Sequence, residues 1–211
     1  MWLTELSTIS SNTDHTSIAD LLAKDIPVDR FCVLPTKENY SIIPGSHLLY
    51  KHPVDQLALS RIIKNLSTDP VKFDFCIIDT PPMASPDCIA ALSITDKVII
   101  PTEISISSLY RLLPLVEIME SIQHRNPDFA VDGLLITKSL LDKLNPEQRR
   151  SLQEIANQFR SNVYDTIIPE DLNVVEASFH KKNFLRAYPE SPATEGYFDF
   201  VDEFLLRNTD V

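Results

Sequence analysis

The sequence predicts an α/β fold, a mostly parallel sheet flanked by helices on both faces. Two observations carry this. Short, predominantly apolar runs of four to eight residues, enriched in β-branched and aromatic side chains, alternate with segments of helical periodicity. The runs also lack the strict in–out alternation of a strand wetted on one side, so helices must cover the sheet on both faces. With 44% hydrophobic residues in 211, the chain can bury a sizeable core. No apolar run reaches the ~18 residues that a membrane span needs, and the opening Met1-Trp2-Leu3-Thr4-Glu5-Leu6 lacks the basic and apolar regions of a secretory leader.

In chain order, the first helix is expected over 18–24, capped by Thr16 or Ser17. A strand over 40–43 stops at Pro44. A helix over 55–66 carries Leu57, Leu59, Ile62, Ile63 and Leu66 on one side. Strands are expected over 73–78, ahead of Pro81-Pro82, and over 97–100, ended by Pro101. Proline has no N–H to give to a ladder, so it punctuates strand ends. A helix over 107–123 is marked by Leu109, Leu112, Leu113, Val116 and Met119, with Pro114 as a kink or a shortened start. A strand over 131–137 follows. Asn145 as cap, Pro146 at the first helical position and Glu147-Gln148 behind it open another helix. A strand over 163–168 ends at Pro169, and helices over 172–180 and 194–206 complete the set. In the last helix Tyr197, Phe198, Phe200, Val201, Phe204 and Leu205 wrap too broadly for one stripe. Core packing is expected there, with a dimer or partner face as the alternative. Ligands of such sheets sit at the strands' C-terminal edge, where polar residues follow each run.

Charge and composition exclude several chemistries. Lys and Arg number 19 against 30 Asp and Glu, a net charge of −11, which disfavours holding nucleic acid by the overall field. Cys32, Cys76 and Cys88 are odd in number and lack metal-type spacing, as expected of reduced structural thiols. Cys88 reads as a buried helix residue rather than a nucleophile. The five histidines show no pair at metal spacing. Glycine is rare: Gly45, Gly133 and Gly196 stand far apart. A loop that cradles phosphates needs clustered glycines so that several N–H groups can approach, and these residues contain no such cluster.

A family pattern runs through the chain in order. In Phe73-Asp74-Phe75-Cys76-Ile77-Ile78-Asp79-Thr80-Pro81-Pro82 an apolar run carries a carboxylate at its tip, where it can orient the water shell of Mg²⁺. An aspartate so placed also serves as an ordinary helix cap, but the Asp-Thr-Pro-Pro continuation is more specific. Behind it come Thr95-Asp96-Lys97-Val98-Ile99-Ile100-Pro101, the helix from Ser107, Gly133-Leu134-Leu135-Ile136-Thr137-Lys138, Ile167-Ile168-Pro169-Glu170-Asp171 and Val174-Val175-Glu176-Ala177. Ahead of it lie Ser17-Ile18-Ala19-Asp20-Leu21-Leu22 and Tyr40-Ser41-Ile42-Ile43-Pro44-Gly45-Ser46. This colinear set resembles the ParA/MinD-type partition ATPases, the Soj-like group with a deviant Walker A motif, over nearly the whole chain.

The resemblance implies one P-loop NTPase-like domain over 1–211, truncated relative to the family because its N-terminal strand, loop and helix have no counterpart in these residues. It implies ATP and Mg²⁺ as cofactors, with Asp79, Thr80, Pro81, Thr137, Lys138, Pro169, Glu170 and Asp171 on the nucleotide side, Asp79 acting on Mg²⁺ through water. It implies a cytoplasmic protein that pairs as a homodimer or with a ParA paralogue, meets a ParB-like partner, and touches DNA nonspecifically through Lys181, Lys182 and Arg186. Solvated surface charge is the simpler account of those cations, and of Arg149-Arg150, in a chain of net charge −11.

The departures matter as much. The family's Lys-Gly-Gly-x-Gly-Lys-Thr loop and the Asp-x-Asp stretch after its second strand are not found here, and residues 1–6 align just after that strand. Where the family has a Gly-Lys-Pro turn, this chain reads His180-Lys181-Lys182-Asn183, losing the freedom of glycine. Most of the grip on a nucleoside triphosphate comes from backbone N–H groups and cations around the phosphates. A base slot alone is expected to bind at about 0.1–1 mM, and hydrolysis by these residues alone is not expected. Two function classes follow: a plasmid or chromosome partition or cargo-positioning protein with an incomplete nucleotide site, and a non-catalytic, P-loop-less interaction module that binds a partner protein or an intact ParA paralogue. A sheet without the family's central strand either re-pairs or leaves apolar edges for a partner.

Overall fold

Gly133, Leu134, Leu135 and Ile136 are all buried, and successive strand residues face opposite sides of a sheet, so their strand is covered on both faces. The computed structural model describes residues 17–24, 34–35, 40–46, 49, 55–68, 73–81, 84–105, 108, 111–140 and 144–208. They belong to two compact units, Met1–Ile94 and Thr95–Val211.

In the first unit, α1 (Ile18–Lys24) starts at a reciprocal cap. The Ser17 N–H donates to Asp20 Oδ2 at 3.1 Å and the Asp20 N–H to Ser17 Oγ at 3.4 Å. β1 (Leu34–Pro35) and β2 (Ser41–Ile42) form a two-residue antiparallel ladder, so the strand expected over 40–43 is a short turn-back and not part of a parallel sheet. Asp55 opens α2 (Gln56–Thr68), accepting the Leu57 and Ala58 N–H groups at 3.3 Å. That start puts Leu57 in the first turn at 72% exposure, while Ala58, Leu59 and Ile62 face inward. Leu57 is thus off the apolar face predicted for it. Leu21 and Ile62 form a small core with Ile18, Leu22, Ile43 and Leu66. Ser85 caps α3 (Pro86–Leu92), which buries Cys88, Ala90, Ala91 and Leu92.

The segment 73–78 is not a buried strand. It has no regular structure, bends at Asp74, belongs to no ladder among the described residues, and leaves Phe73, Phe75 and Ile77 40%, 64% and 87% exposed. Apolar composition makes a strand only where a neighbouring backbone completes its hydrogen bonds, and none of the described strands of this unit runs beside it.

The second unit holds a three-stranded sheet in the order β3 (Lys97–Thr102), β4 (Ala130–Ser139), β5 (Asn162–Pro169), both pairings parallel. Pro101 lies inside β3, opposite Leu135, and does not end it. β3 is an edge of this described sheet, where a missing donor on the open side is tolerated. The helix expected over 107–123 is α4 (Leu113–Arg125), shortened at its start. Pro114 fits the first turn, whose N–H groups have no intrahelical partner. α5 (Pro146–Gln158) begins with the full capping box: Gln148 N–H to Asn145 Oδ1 at 2.8 Å and Asn145 N–H to Gln148 Oε1 at 3.0 Å. α6 (Leu172–Phe179), α7 (Phe184–Ala187) and α8 (Pro192–Asn208) follow. No helix among the described residues is long and apolar enough to cross a membrane.

α8 is fastened to β5 at a break in the ladder. Leu134 pairs with Val163 and Ile136 with Ile167, so β5 carries extra residues between these pairs. Glu203 of α8 accepts the Asp165 and Thr166 N–H groups, each at 2.8 Å, and the Thr166 hydroxyl at 2.7 Å. Beside it Arg207 pairs with Glu203, donates to the Val163 carbonyl at 3.1 Å and lies 4.1 Å above the Tyr164 ring. The fully buried Tyr164 donates its hydroxyl to Asp132 and packs edge-on against Phe200. Leu135, Tyr164, Ile168 and Ala193 form the core here, with Ile99, Phe184, Phe200 and Phe204 against it. Tyr197, Phe198, Val201 and Leu205 stay exposed. The apolar set of the last helix therefore divides: Phe200 and Phe204 serve the core, and the other four face out.

Gly133 makes room for the tyrosine. A Cβ there would stand 2.4 Å and 2.7 Å from ring atoms of Tyr164. Because that ring is held by Asp132, Phe200 and Arg207, Gly133→Ala is expected to cost about 1–3 kcal/mol in urea unfolding. Glu203→Ala leaves the part-buried Thr166 N–H and the exposed Asp165 N–H without their acceptor and is expected to cost about 1–2 kcal/mol. Burial pulls the Glu203 pKa upward, but the bonds from Thr166 and Asp165 and the Arg207 charge outweigh it and hold the carboxyl below its ordinary range. A lowered folded-state pKa contributes stability above the unfolded value, about 4.3, and loses it as pH falls through the folded one. Acid titration of unfolding should therefore show a stability loss below about pH 4.3 that is smaller in Glu203→Ala than in the parent.

Candidate functional site

The C-terminal edge of the second unit's sheet gathers Glu103 after β3, Thr137, Lys138 and Ser139 at the end of β4, and Pro169, Glu170 and Asp171 at the end of β5. The ladder places Ser139 opposite Pro169, and the Glu170 N–H donates to the Ser139 carbonyl at 2.9 Å. Five of the residues implied by the resemblance, Thr137, Lys138, Pro169, Glu170 and Asp171, are thereby brought to one edge. Lys138 takes a left-handed backbone, φ 51°. This turns its exposed side chain to Glu103, with Nζ 3.0 Å from Oε1. Tyr197 of α8 is close enough for the Lys138 charge to oppose the upward shift that burial gives its phenol. Gly196 lets α8 meet the tip of β5: a Cβ there would be 3.2 Å from Pro169 Cδ and 3.4 Å from the Ile167 carbonyl.

Asp171 is turned inward. Its carboxylate accepts the Asn173 N–H at 2.9 Å as the cap of α6, the Ala193 N–H at 3.4 Å at the start of α8, and the Ser191 hydroxyl. Burial opposes ionisation, yet the Ser191 and backbone bonds prevail and the carboxyl titrates below its usual range. Asp171 thus shapes the loop beside Pro169 and Glu170. Glu103, Ser139, Gly196 and Tyr197 were not singled out for this edge by the sequence. The signals were faint: a polar residue after an apolar run for Glu103, and a glycine inside a helix, a mark of close approach, for Gly196.

Asp79, Thr80 and Pro81 belong to the other unit. Asp79 is exposed just past the segment 73–78, and Thr80 bonds the Cys88 thiol. Burial pushes that thiol upward against this bond, which suits a packed thiol rather than a thiolate nucleophile. Among the described residues no group of three or more His, Cys, Asp or Glu side chains is placed to hold a metal. Mg²⁺ keeps several waters and takes one or two carboxylates alongside phosphates. Asp79 is a single exposed carboxylate and does not make a metal site by itself.

The basic island lies at the end of α6. His180, Lys181 and Lys182 are exposed, and Lys181 has φ 51°. The Lys182 N–H reaches the Ala177 carbonyl at 2.9 Å and the Lys181 N–H the Ser178 carbonyl at 3.1 Å, the helix-ending pattern that glycine usually serves. Arg160 ends α5 in the same way, φ 53°. Arg149 pairs with Asp165 at 2.9 Å and Arg150 with Glu154 at 3.3 Å, both as exposed surface pairs.

Comparison with known proteins agrees with this architecture. A family model described as an AAA domain matches residues 3–131. The chain is 30% identical over 191 residues to the sporulation initiation inhibitor protein Soj of Bacillus subtilis (strain 168), covering 88% of this chain and 75% of that protein. Among solved structures, the septum site-determining protein MinD of Pyrococcus horikoshii, complexed with Mg-ADP, superposes with a TM-score of 0.71 at 21% identity, covering 97% of this chain and 77% of that one. A Cyanothece McdA–ATP complex gives 0.71 at 22% identity, covering 99% and 82%. At these identities the structural likeness shows the fold.

The Lys181 turn offers a measurement independent of any likeness. A side chain in the left-handed region costs about 1–2 kcal/mol that glycine does not incur. Lys181→Gly is therefore expected to raise unfolding stability by about 1 kcal/mol in urea titration, and an unchanged or lowered midpoint would contradict the strain assigned to this turn.

Proposed function

The chain belongs to the ParA/MinD-type family of AAA-domain partition ATPases, and on that footing we propose that it is a DNA segregation or cargo-positioning protein whose nucleotide site is incomplete within these 211 residues. The observation that carries the reading is the closure of the β4 and β5 tips, where Glu170 N–H meets the Ser139 carbonyl at 2.9 Å and brings Thr137 and Lys138 beside Pro169 and Glu170. On this reading that edge takes the base and sugar side of ATP. The backbone and side chain of Thr137 and the Lys138 ammonium offer polar contacts, Pro169 offers an apolar wall, and Asp171 holds the loop in place. ATP with Mg²⁺ would supply the charge change that drives assembly, Asp79 ordering the metal's water shell once phosphates are presented.

The glycine pattern sets the limit. Gly45, Gly133 and Gly196 are scattered, so no run of backbone N–H groups in these residues can wrap a triphosphate. We read the chain as cytoplasmic, pairing as a homodimer or with a ParA paralogue and meeting a ParB-like partner. The same glycine pattern favours a second reading, a non-catalytic interaction module that keeps the fold as a binding surface for a partner protein or an intact ParA paralogue.

Titration with a fluorescent ATP analogue, with and without Mg²⁺, separates the two. The first reading expects binding at about 0.1–1 mM, a Mg²⁺-dependent part lost in Asp79→Ala with the circular dichroism unchanged, and weaker binding in Lys138→Ala. Mg²⁺-dependent binding that survives Asp79→Ala would overturn the role of Asp79, and no saturable binding at all would leave the interaction module as the function.

A further inference from the structure

We propose that α6 and the turn behind it form a docking surface for an acidic, amphipathic helical segment of a partner protein. Leu172, Val175 and Phe179 recur at i, i+3 and i+7, so they line one side of the helix, and they are 80%, 51% and 83% exposed. Ala177, on the opposite side, is 1% exposed and anchors the helix to the unit. The apolar stripe therefore faces outward by construction. A contiguous exposed apolar strip beside charged residues is the form an interaction site takes, unlike scattered single side chains.

The charge beside the stripe names the occupant. His180, Lys181 and Lys182 extend from its C-terminal end, all exposed, and neither lysine has an ion pair among the described residues. Glu176, flanking the stripe, accepts the Tyr188 hydroxyl. Lys181 occupies its place at φ 51°, a backbone state that glycine would adopt without strain. An acidic amphipathic helix satisfies both halves, with its apolar face on Leu172, Val175 and Phe179 and its carboxylates on Lys181 and Lys182.

Other occupants satisfy one half each. Duplex DNA would meet the cations, which are the contacts the family resemblance implies, but it offers nothing to three exposed apolar side chains. An anionic bilayer suits both, yet it repels a chain of net charge −11 taken as a whole. The inference stands apart from the nucleotide reading and needs no ATP.

The test is selection of a displayed library of short helical peptides on the full chain, counter-selected on Phe179→Ser. The enriched sequences are expected to carry apolar residues at helical spacing flanked by Asp and Glu. A synthetic peptide of that consensus should lose about tenfold or more in affinity to Phe179→Ser and to the double variant Lys181→Gly, Lys182→Ala, and should weaken as salt rises. Because glycine suits the Lys181 turn, the double variant stays folded, checked by circular dichroism. No enrichment, a basic consensus, or unchanged affinity in both variants overturns the proposal. So does saturable binding to phosphatidylglycerol vesicles or to a DNA duplex that outcompetes the peptide, or a sedimenting dimer that Phe179→Ser dissolves.

Discussion

The second unit is organised around Tyr164. Its ring is fully buried against Gly133, edge-on to Phe200 and beneath the Arg207 guanidinium, and its hydroxyl is held by Asp132. A buried phenol needs a hydrogen-bond partner. Here the partner sits on β4, while the ring belongs to β5 and its cover to α8, so one side chain joins three elements. The ladder irregularity in β5 follows from the same place. Two backbone N–H groups leave the β4 ladder beside Tyr164, and Glu203 receives them. Unpaired, the part-buried Thr166 N–H would carry a desolvation cost, while the Asp165 N–H lies on an exposed residue. Sliding α8 would break the Glu203, Arg207 and Phe200 contacts together, so the helix has one position on the sheet.

That position reaches the candidate edge through the helix itself. Gly196 lies about two turns before Glu203, and it brings α8 against Pro169 and the Ile167 carbonyl. At the start of the same helix Asp171 joins the Ala193 N–H to the Asn173 N–H of α6. Each helix N-terminus carries partial positive charge, and one carboxylate answers both. The consequence is a division of labour among three neighbours in sequence: Pro169 closes the strand, Glu170 ties its N–H across to β4, and Asp171 faces inward to the helices. The resemblance groups these residues as one nucleotide-facing set, while the geometry separates the residue that supports the edge from those that form it.

What could be read from the sequence was whatever is decided locally. Asn145-Pro146-Glu147-Gln148 names a helix start because cap, proline and reaching glutamine act within one turn, and α5 begins there with both bonds formed. The runs that became β4 and β5 were legible from β-branched density alone. The segment 73–78 has the same composition, but a strand also needs a neighbour, and composition carries no information about one. Pro101 misled for a related reason: whether proline ends a strand depends on which edge of the sheet faces outward. The Tyr164 cluster was invisible, because Asp132, Tyr164 and the Glu203–Arg207 pair of α8 are far apart in the chain and share no period. At the candidate edge, Thr137, Lys138, Pro169 and Glu170 came from a family pattern, whereas Glu103 and Tyr197 joined them through folding.

Glycine shows how this chain divides backbone freedom from close approach. None of the described glycines has a positive φ, while Lys138, Arg160 and Lys181 do. Gly133 and Gly196 are glycines for lack of a Cβ, one under a tyrosine ring and one against a proline. The left-handed turns fall instead to long cationic side chains, at about 1–2 kcal/mol each relative to glycine. A phosphate cradle works the other way round: glycines release the backbone so that its N–H groups, and not side chains, surround the ligand. At six helix starts among the described residues a side chain of the chain itself claims a backbone N–H, at Ser17, Asp55, Ser85, Asn145, Asp171 and Asn183, while α4 starts without a side-chain cap. Recognition by these regions must then come from side chains held at edges and turns. Lys138 at the strand tips and Lys181 beside the α6 stripe are two such side chains, each in a backbone state that positions it at a cost in stability.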